Sequence, residues 1–346
     1  MVMAHGLLQM LHRQSPNGRV EVLAPPTTAP LTQRMPQVAA THVAPFGHGK
    51  FALAARIKLG RQLRNRFDAA IVLPNSWKSA LVPFFAAIPR RSGFVGEFRY
   101  GLLNDVRVLD AERLPRMAQR FAWLGMPGGS SRELRNSVSK GSWSSADGTG
   151  LEHGAPDPCL RVTPEGILAA RARFALTGGA PVLALCPGAE FGPAKRWPPS
   201  HFAAIAQHHL RNGYQVWIFG GVSDTQAANE IIEGISAVQL SSVQNLTGKT
   251  SLLDAVDLLA AADRVVSNDS GLMHVAAALG KPVIGIYGSS SPGLTPPLGP
   301  RATTVSLALS CSPCFARTCR FGHYDCLRKL GPDEVIAALT RMADAL

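Results

Sequence analysis

Six runs of aliphatic and β-branched residues recur along the sequence with helical patterns between them, and this alternation most constrains the fold. The runs are RVEVLAP (19–25), DAAIVLPN (68–75), APVLALCPG (180–188), YQVWIFGG (214–221), DRVVSN (263–268) and KPVIGIYG (281–288). A half-exposed strand alternates apolar and polar residues, whereas a strand covered on both faces is apolar at both parities. Between the runs, Phe202, Ile205, Ala206 and Leu210 recur at helical spacing over 200–210, with Gly213 as the stop, and 272–279 reads as a second, Ala-rich helix. Strands of this kind alternating with helices predict an α/β protein with a doubly wound parallel sheet.

The 346 residues suffice for two such domains. Between Gly128 and Pro158 the sequence turns Ser- and Gly-rich and loses its apolar period, which predicts a flexible loop or linker. The boundaries expected are 1–160, 161–330 and a C-terminal helix over 331–346 that starts at about Asp333, after Gly331-Pro332. The beginning departs from the doubly wound pattern. Val2, Met3, Leu7, Met10 and Leu11 suggest a helix where such a domain ordinarily opens with a strand. The first strand is therefore expected to be missing.

Composition narrows the function classes. An apolar content of 46% with 17% charged residues can fill a core and argues against global disorder. No apolar run reaches the roughly 18–20 residues of a membrane span, and MVMAHGLLQMLHRQ lacks the marks of a signal peptide. Six cysteines in such a chain read as reduced, cytoplasmic thiols. The net charge of +12 is unevenly spread: residues 1–160 hold 20 basic and 10 acidic side chains, and residues 161–346 hold 15 and 13. A large anionic partner is thus expected at the N-terminal half.

Candidate chemistry lies at strand ends of the second half. The loop AEFGPAKRWPPS follows one strand and leads into a helix, so Lys195 there can place an ammonium on a phosphate. On local chemistry alone Lys195-Arg196 is equally a solvated pair with Trp197 packed beneath the helix. In SNDSGLMHVAAALGKP the strand ends at Asn268, and Asp269, Ser270 and Gly271 open a helix whose amides and hydroxyl suit an anion, with His274 one turn on. The plainer reading is an Asp N-cap and a core histidine. Asp224, after the 214–221 strand, suits the two hydroxyls of a ribose or serves as an ordinary cap.

Other signals are weaker. Gly248-Lys249-Thr250 lacks the earlier glycine of a phosphate loop, because position 243 is Val, and Gly47-His48-Gly49 is too short for a nucleotide fingerprint. Neither HExxH nor GxSxG occurs. Cys311, Cys314, Cys319 and Cys326, with His323 nearby, make a C-x2-C-x4-C-x6-C spacing that matches no common zinc module, so reduced structural thiols are the first reading and a metal the second. In the N-terminal half Lys78, Arg90, Arg91, Arg99 and Arg107 are candidates to face a phosphorylated or carboxylated substrate, while Trp77, Phe84 and Phe85 read as core or rim packing.

Several blocks taken together resemble the ADP-heptose glycosyltransferases, glycosyltransferase family 9. They are LPNSWKSALVPFFAAIP, GEFRYGLLNDVR, CPGAEFGPAKRWP, NDSGLMHVAAALGKP and YGSSSP followed by TPPL, in order over residues 20–300. The resemblance implies a GT-B fold, two Rossmann-like domains facing a central cleft, with the acceptor on the N-terminal domain and the ADP-sugar on the C-terminal one. It implies inverting transfer of L-glycero-D-manno-heptose onto the first heptose of the lipid A–Kdo2 inner core, at the inner face of the inner membrane as a peripheral protein. No metal or other cofactor and no nucleic acid enter that reaction. Carried over by position, Lys195 would hold the diphosphate, Asp224 the ribose and Asp269 the heptose hydroxyls, with Ser270, Gly271 and His274 around them. Lys195 and Asp269 would be the catalytic pair, and Lys78, Arg90, Arg91 and Arg99 would bind the acceptor.

The family's general-base aspartate follows the first strand, and the matching position would precede Met1. A truncated or degenerate relative that binds ADP-sugar without efficient transfer is therefore the alternative weighed. A GT-B transferase for another nucleotide sugar fits the NSWKSALVPFF and RYGLLNDVR blocks poorly, and nucleic-acid binding rests on net charge alone.

Overall fold

The computed structural model describes residues 1–47, 49–126 and 155–344. The chain divides into two compact units, Met3–Pro156 and Asp157–Leu346. The loop or linker expected over 128–158 lies, as far as residue 154, outside the described residues, as does His48.

In the second unit the expected runs are strands. Those described are β6 (Val182–Cys186), β7 (Gln215–Ile218), β8 (Val243–Asn245), β9 (Arg264–Asn268), β10 (Val283–Tyr287) and β11 (Ala302–Ser306), all parallel in the order β11-β10-β9-β6-β7-β8. Every residue of β6 and β10 is buried, which is why these runs are apolar at both parities. Winding proceeds outward from β6 to β8, then crosses back to β9 and proceeds the other way. The C-terminal ends of β6 and β9 thus flank a topological switch point, where such sheets bind ligands.

The helix expected over 200–210 spans Pro199–Arg211, and Phe202, Ile205, Ala206 and Leu210 pack on Leu183, Leu185, Val216 and Ile218 of the sheet. It stops because Gly213 turns left-handed at φ +79°, which lets the amides of Gly213 and Tyr214 reach the carbonyls of Leu210 and His209. The C-terminal helix, Pro332–Asp344, buries Val335, Ala338 and Leu339 in the same core. Trp197 lies in that core too, 1% exposed, and its Nε1 donates to the Leu330 carbonyl at 2.8 Å.

The first unit opens with a short 3-10 turn and the helix His5–Gln14. Its described strands form two parallel sheets: β1 (Glu21–Ala24) with β2 (Ala40–Val43), and the triple β3 (Ala69–Ile71), β4 (Arg90–Phe94) and β5 (Asp105–Arg107). Helix Leu53–Gln62 packs closely on the short helix Leu81–Phe85. A Cβ at Gly60 would stand 2.8 Å from the Val82 carbonyl oxygen, so the contact requires glycine there.

Candidate functional site

The loop leaving β6 ends in a tight turn, Pro193–Lys195, and the loop leaving β9 begins with Asp269. Lys195 Nζ donates to Asp269 Oδ2 at 2.6 Å, with the two side chains 18% and 5% exposed. Each desolvated charge so has its partner, without which burial would be unfavourable. The Lys195 ammonium also lies 5.1 Å from the centroid of the Phe191 ring.

His274, one turn into helix Gly271–Ala278, has Nε2 3.9 Å from Asp269 Oδ1, too long for a hydrogen bond. Burial pushes the His274 imidazole down to about 4, although Asp269 pulls the other way. The ring is neutral at neutral pH, so among the described residues Lys195 is the cation paired with Asp269. His274 Nδ1 is buried without a hydrogen-bond partner among the described residues.

The helix that begins at Gly271 has no side-chain cap. Ser270 at the cap position makes no such bond, and its Oγ lies 3.2 Å from Ser267 Oγ instead. Among the described residues, its chain neighbours and its own helix backbone aside, no heavy atom stands within 4 Å of where a Cβ at Gly271 would lie, so this backbone is open to close approach. Uncapped amides at the positive end of a helix, beside an ammonium, are groups of the kind that suit an anion.

Asp224 stands on the other side of β6. Its Oδ2 accepts from the Gly221 amide at 2.9 Å, and a Cβ at Gly188, just after β6, would come within 2.3 Å of that oxygen. The carboxylate therefore fits against the ends of β6 and β7 only because glycines lie beneath it. Lys249 turns back, its Nζ donating to the Asn245 carbonyl at 2.8 Å.

The sequence reading missed three residues here. Asn268, fully buried at the end of β9, accepts from the Trp197 amide at 3.1 Å and donates to the Pro187 carbonyl at 2.6 Å, holding both ends of the Lys195 loop. The strand it closes also carries Arg264 and Ser267, so no local pattern singles Asn268 out. Ser289 and Ser290 follow β10, and their buried hydroxyls have no hydrogen-bond partner among the described residues.

In the first unit the basic candidates separate. Lys78 lies in the turn after β3, Nζ donating to the Gly49 carbonyl at 3.0 Å, beside the half-exposed stacked pair Phe51 and Trp77. The structure does not bring Arg90, Arg91 and Arg99 to that place as open ligand groups. Arg90 and Arg91 open β4, at the opposite end from its loop; Arg90 pairs with Asp105 at 3.3 Å, and Arg91 caps the carbonyls of Leu102 and Ile88. Arg99, 2% exposed, donates to the carbonyls of Pro74 and Phe94. Arg107, fully buried, pairs with Asp105 at 3.0 Å and binds the Trp123 carbonyl. The fork of guanidinium donors suits carbonyl capping as well as anions, and here it ties loops together.

Among solved structures, the molecule matches E. coli ADP-heptose lps heptosyltransferase II with a TM-score of 0.84, at 40% identity over 99% of this chain and 94% of that one. The fold is thus of the GT-B-like α/β class used by glycosyltransferases. The sequence is 41% identical to lipopolysaccharide heptosyltransferase 2 of Escherichia coli K12, over 99% of this chain and 94% of that protein. It is 43% identical to lipooligosaccharide heptosyltransferase 2 of Haemophilus influenzae, over 89% and 85%. The model of glycosyltransferase family 9 (heptosyltransferase) matches residues 56–325, and the chain belongs to that family.

Proposed function

We propose that this glycosyltransferase transfers L-glycero-D-manno-heptose from ADP-heptose to the first heptose of the lipid A–Kdo2 inner core, with inversion at the anomeric carbon. The observation that carries the reading is the Lys195–Asp269 pair beside the uncapped start of helix Gly271–Ala278, at the switch point of the sheet.

In this reading the diphosphate lies on the amides of that helix and on Lys195, with Ser270 and Gly271 against it. These groups stabilise the charge that builds on the departing ADP oxygen as the glycosidic bond breaks. Asp269, paired with Lys195, accepts from heptose hydroxyls and fixes the sugar for attack by an acceptor hydroxyl from the opposite face, whose proton passes to solvent as the new glycosidic bond forms and ADP departs. His274, neutral, closes the pocket beside it, and Asp224 accepts the ribose hydroxyls. Fixed donors beat water here because they need no reorganisation as charge moves. No separate cofactor enters this reading.

Lys78 serves the acceptor, whose Kdo carboxylates and lipid A phosphates suit the net +10 of residues 1–160. Among the described residues no helix is long and apolar enough to cross a membrane. The reading places the protein on the inner face of the inner membrane, where such an acceptor is anchored. Calorimetric titration with ADP and UDP tests the donor half. ADP should bind, and K195A should weaken it at least about tenfold; equal affinity for the two variants would overturn the assignment of Lys195.

A further inference from the structure

Cys311, Cys314, Cys319 and Cys326 take no part in the donor reading, yet all four line one cavity of about 20 Å³, enough for a single ion. All are free thiols. Cys326 lies within electrostatic reach of the other three.

The backbone around them turns sharply. Phe315, directly after Cys314, is left-handed at φ +54°, and Gly322, three residues after Cys319, at φ +72°. The second turn aims the amides of Phe321, Gly322, His323 and Tyr324 at Cys319 Sγ. Ser289 Oγ, 1% exposed and without a partner among the described residues, lies on the same cavity wall.

The cysteine segment is also bonded to the loops of the anion site. The amides of Cys314 and Phe315 donate to the Ser289 carbonyl at 3.0 and 2.7 Å, and the Ala194 amide donates to the Arg317 carbonyl at 3.1 Å. Fixing the four sulfurs would therefore fix the turn that presents Lys195.

We propose that these four thiols bind one thiophilic divalent ion, zinc or ferrous iron, as a structural centre that braces the Lys195 turn. Among the described residues no three such side chains already stand as a metal-holding group. Binding turns the sulfurs inward to about 2.3 Å from the ion. The thiol protons pass to solvent as metal–sulfur bonds form, and no electron is transferred.

The test is the metal content of the wild-type protein, isolated with reductant and without chelator, followed by cobalt(II) titration of the metal-free form. About one zinc or iron per chain and the intense absorption of tetrahedral cobalt thiolate are expected. Both should be lost in C311S and C326S and kept in C159S. Wild-type protein with all six thiols titratable, no bound metal and no cobalt band would overturn the proposal, as would two disulfides among these four residues. Neither readout needs donor or acceptor, so failure here leaves the transferase reading untouched.

Discussion

The ammonium of Lys195 lies 2.6 Å from a carboxylate oxygen of Asp269, a residue 74 positions away, and the two meet because β6 and β9 are neighbours in the sheet. Removing the ammonium leaves Asp269 buried without its ion-pair partner and takes a positive charge from the proposed donor site. K195A should lower kcat/KM by about 10²–10³-fold, the range for losing one preorganised charge-stabilising donor. Steady-state transfer kinetics measure this, and a loss below about tenfold would contradict the role of Lys195.

Asn268 should act through the loops it holds. In N268A the Trp197 amide and the Pro187 carbonyl lose their partner inside the protein. A stability loss of about 1–3 kcal/mol is expected from groups left unpaired in the interior. Urea denaturation reads it, and KM for the donor should rise more than kcat falls.

Acid should weaken the fold through its buried histidines. His209 and His274 are both pushed down from 6.5 to about 4, mainly by burial. Between pH 6.5 and 4 the unfolded chain takes up protons that the folded one refuses, so stability declines as pH falls across that window and is fully present above it. The urea midpoint should therefore drop steadily from pH 7 to 4.5, and H209Q should reduce the slope. An unchanged slope in H209Q would exclude His209 as a contributor.

Two basic residues of the first unit should separate by phenotype. Arg99 is buried and caps carbonyls, so R99A should lose about 1–3 kcal/mol of stability, as when buried acceptors are left unpaired. The Lys78 side chain donates to the Gly49 carbonyl in an exposed turn, and its own carbonyl, which accepts from Arg56, is kept in K78A, so that variant should keep its stability and raise KM for the acceptor. Thermal melts alongside acceptor titrations distinguish the two.

What the sequence made legible follows from burial. β6 and β10 lie inside the sheet, and their unbroken apolar runs announce them; β9 between them is marked by Val265 and Val266 alone. The strands missed carry polar residues for local reasons. Arg90 and Arg91 open β4 because their guanidinium groups bind Asp105 and nearby carbonyls, and β5, β8 and β11 lie at sheet edges where one side needs no cover. Lys195, Asp269 and His274 were found as strand-end residues, since parallel strands deliver their C-terminal ends to one rim. Asn268 was not, because its value lies in two hydrogen bonds to distant loops that no local pattern records. Arg99 was misplaced for the opposite reason, its basic, apolar neighbourhood suiting a ligand and a carbonyl cap equally.

The central claim is tested most directly by incubating the purified chain with ADP-L-glycero-D-manno-heptose and heptosyl-Kdo2-lipid A and following the acceptor by mass spectrometry. The account predicts the gain of one heptosyl residue, with release of ADP and loss of both in K195A. An unmodified acceptor under conditions where the protein is folded and binds ADP, or equal transfer from an unrelated nucleotide sugar, would contradict it.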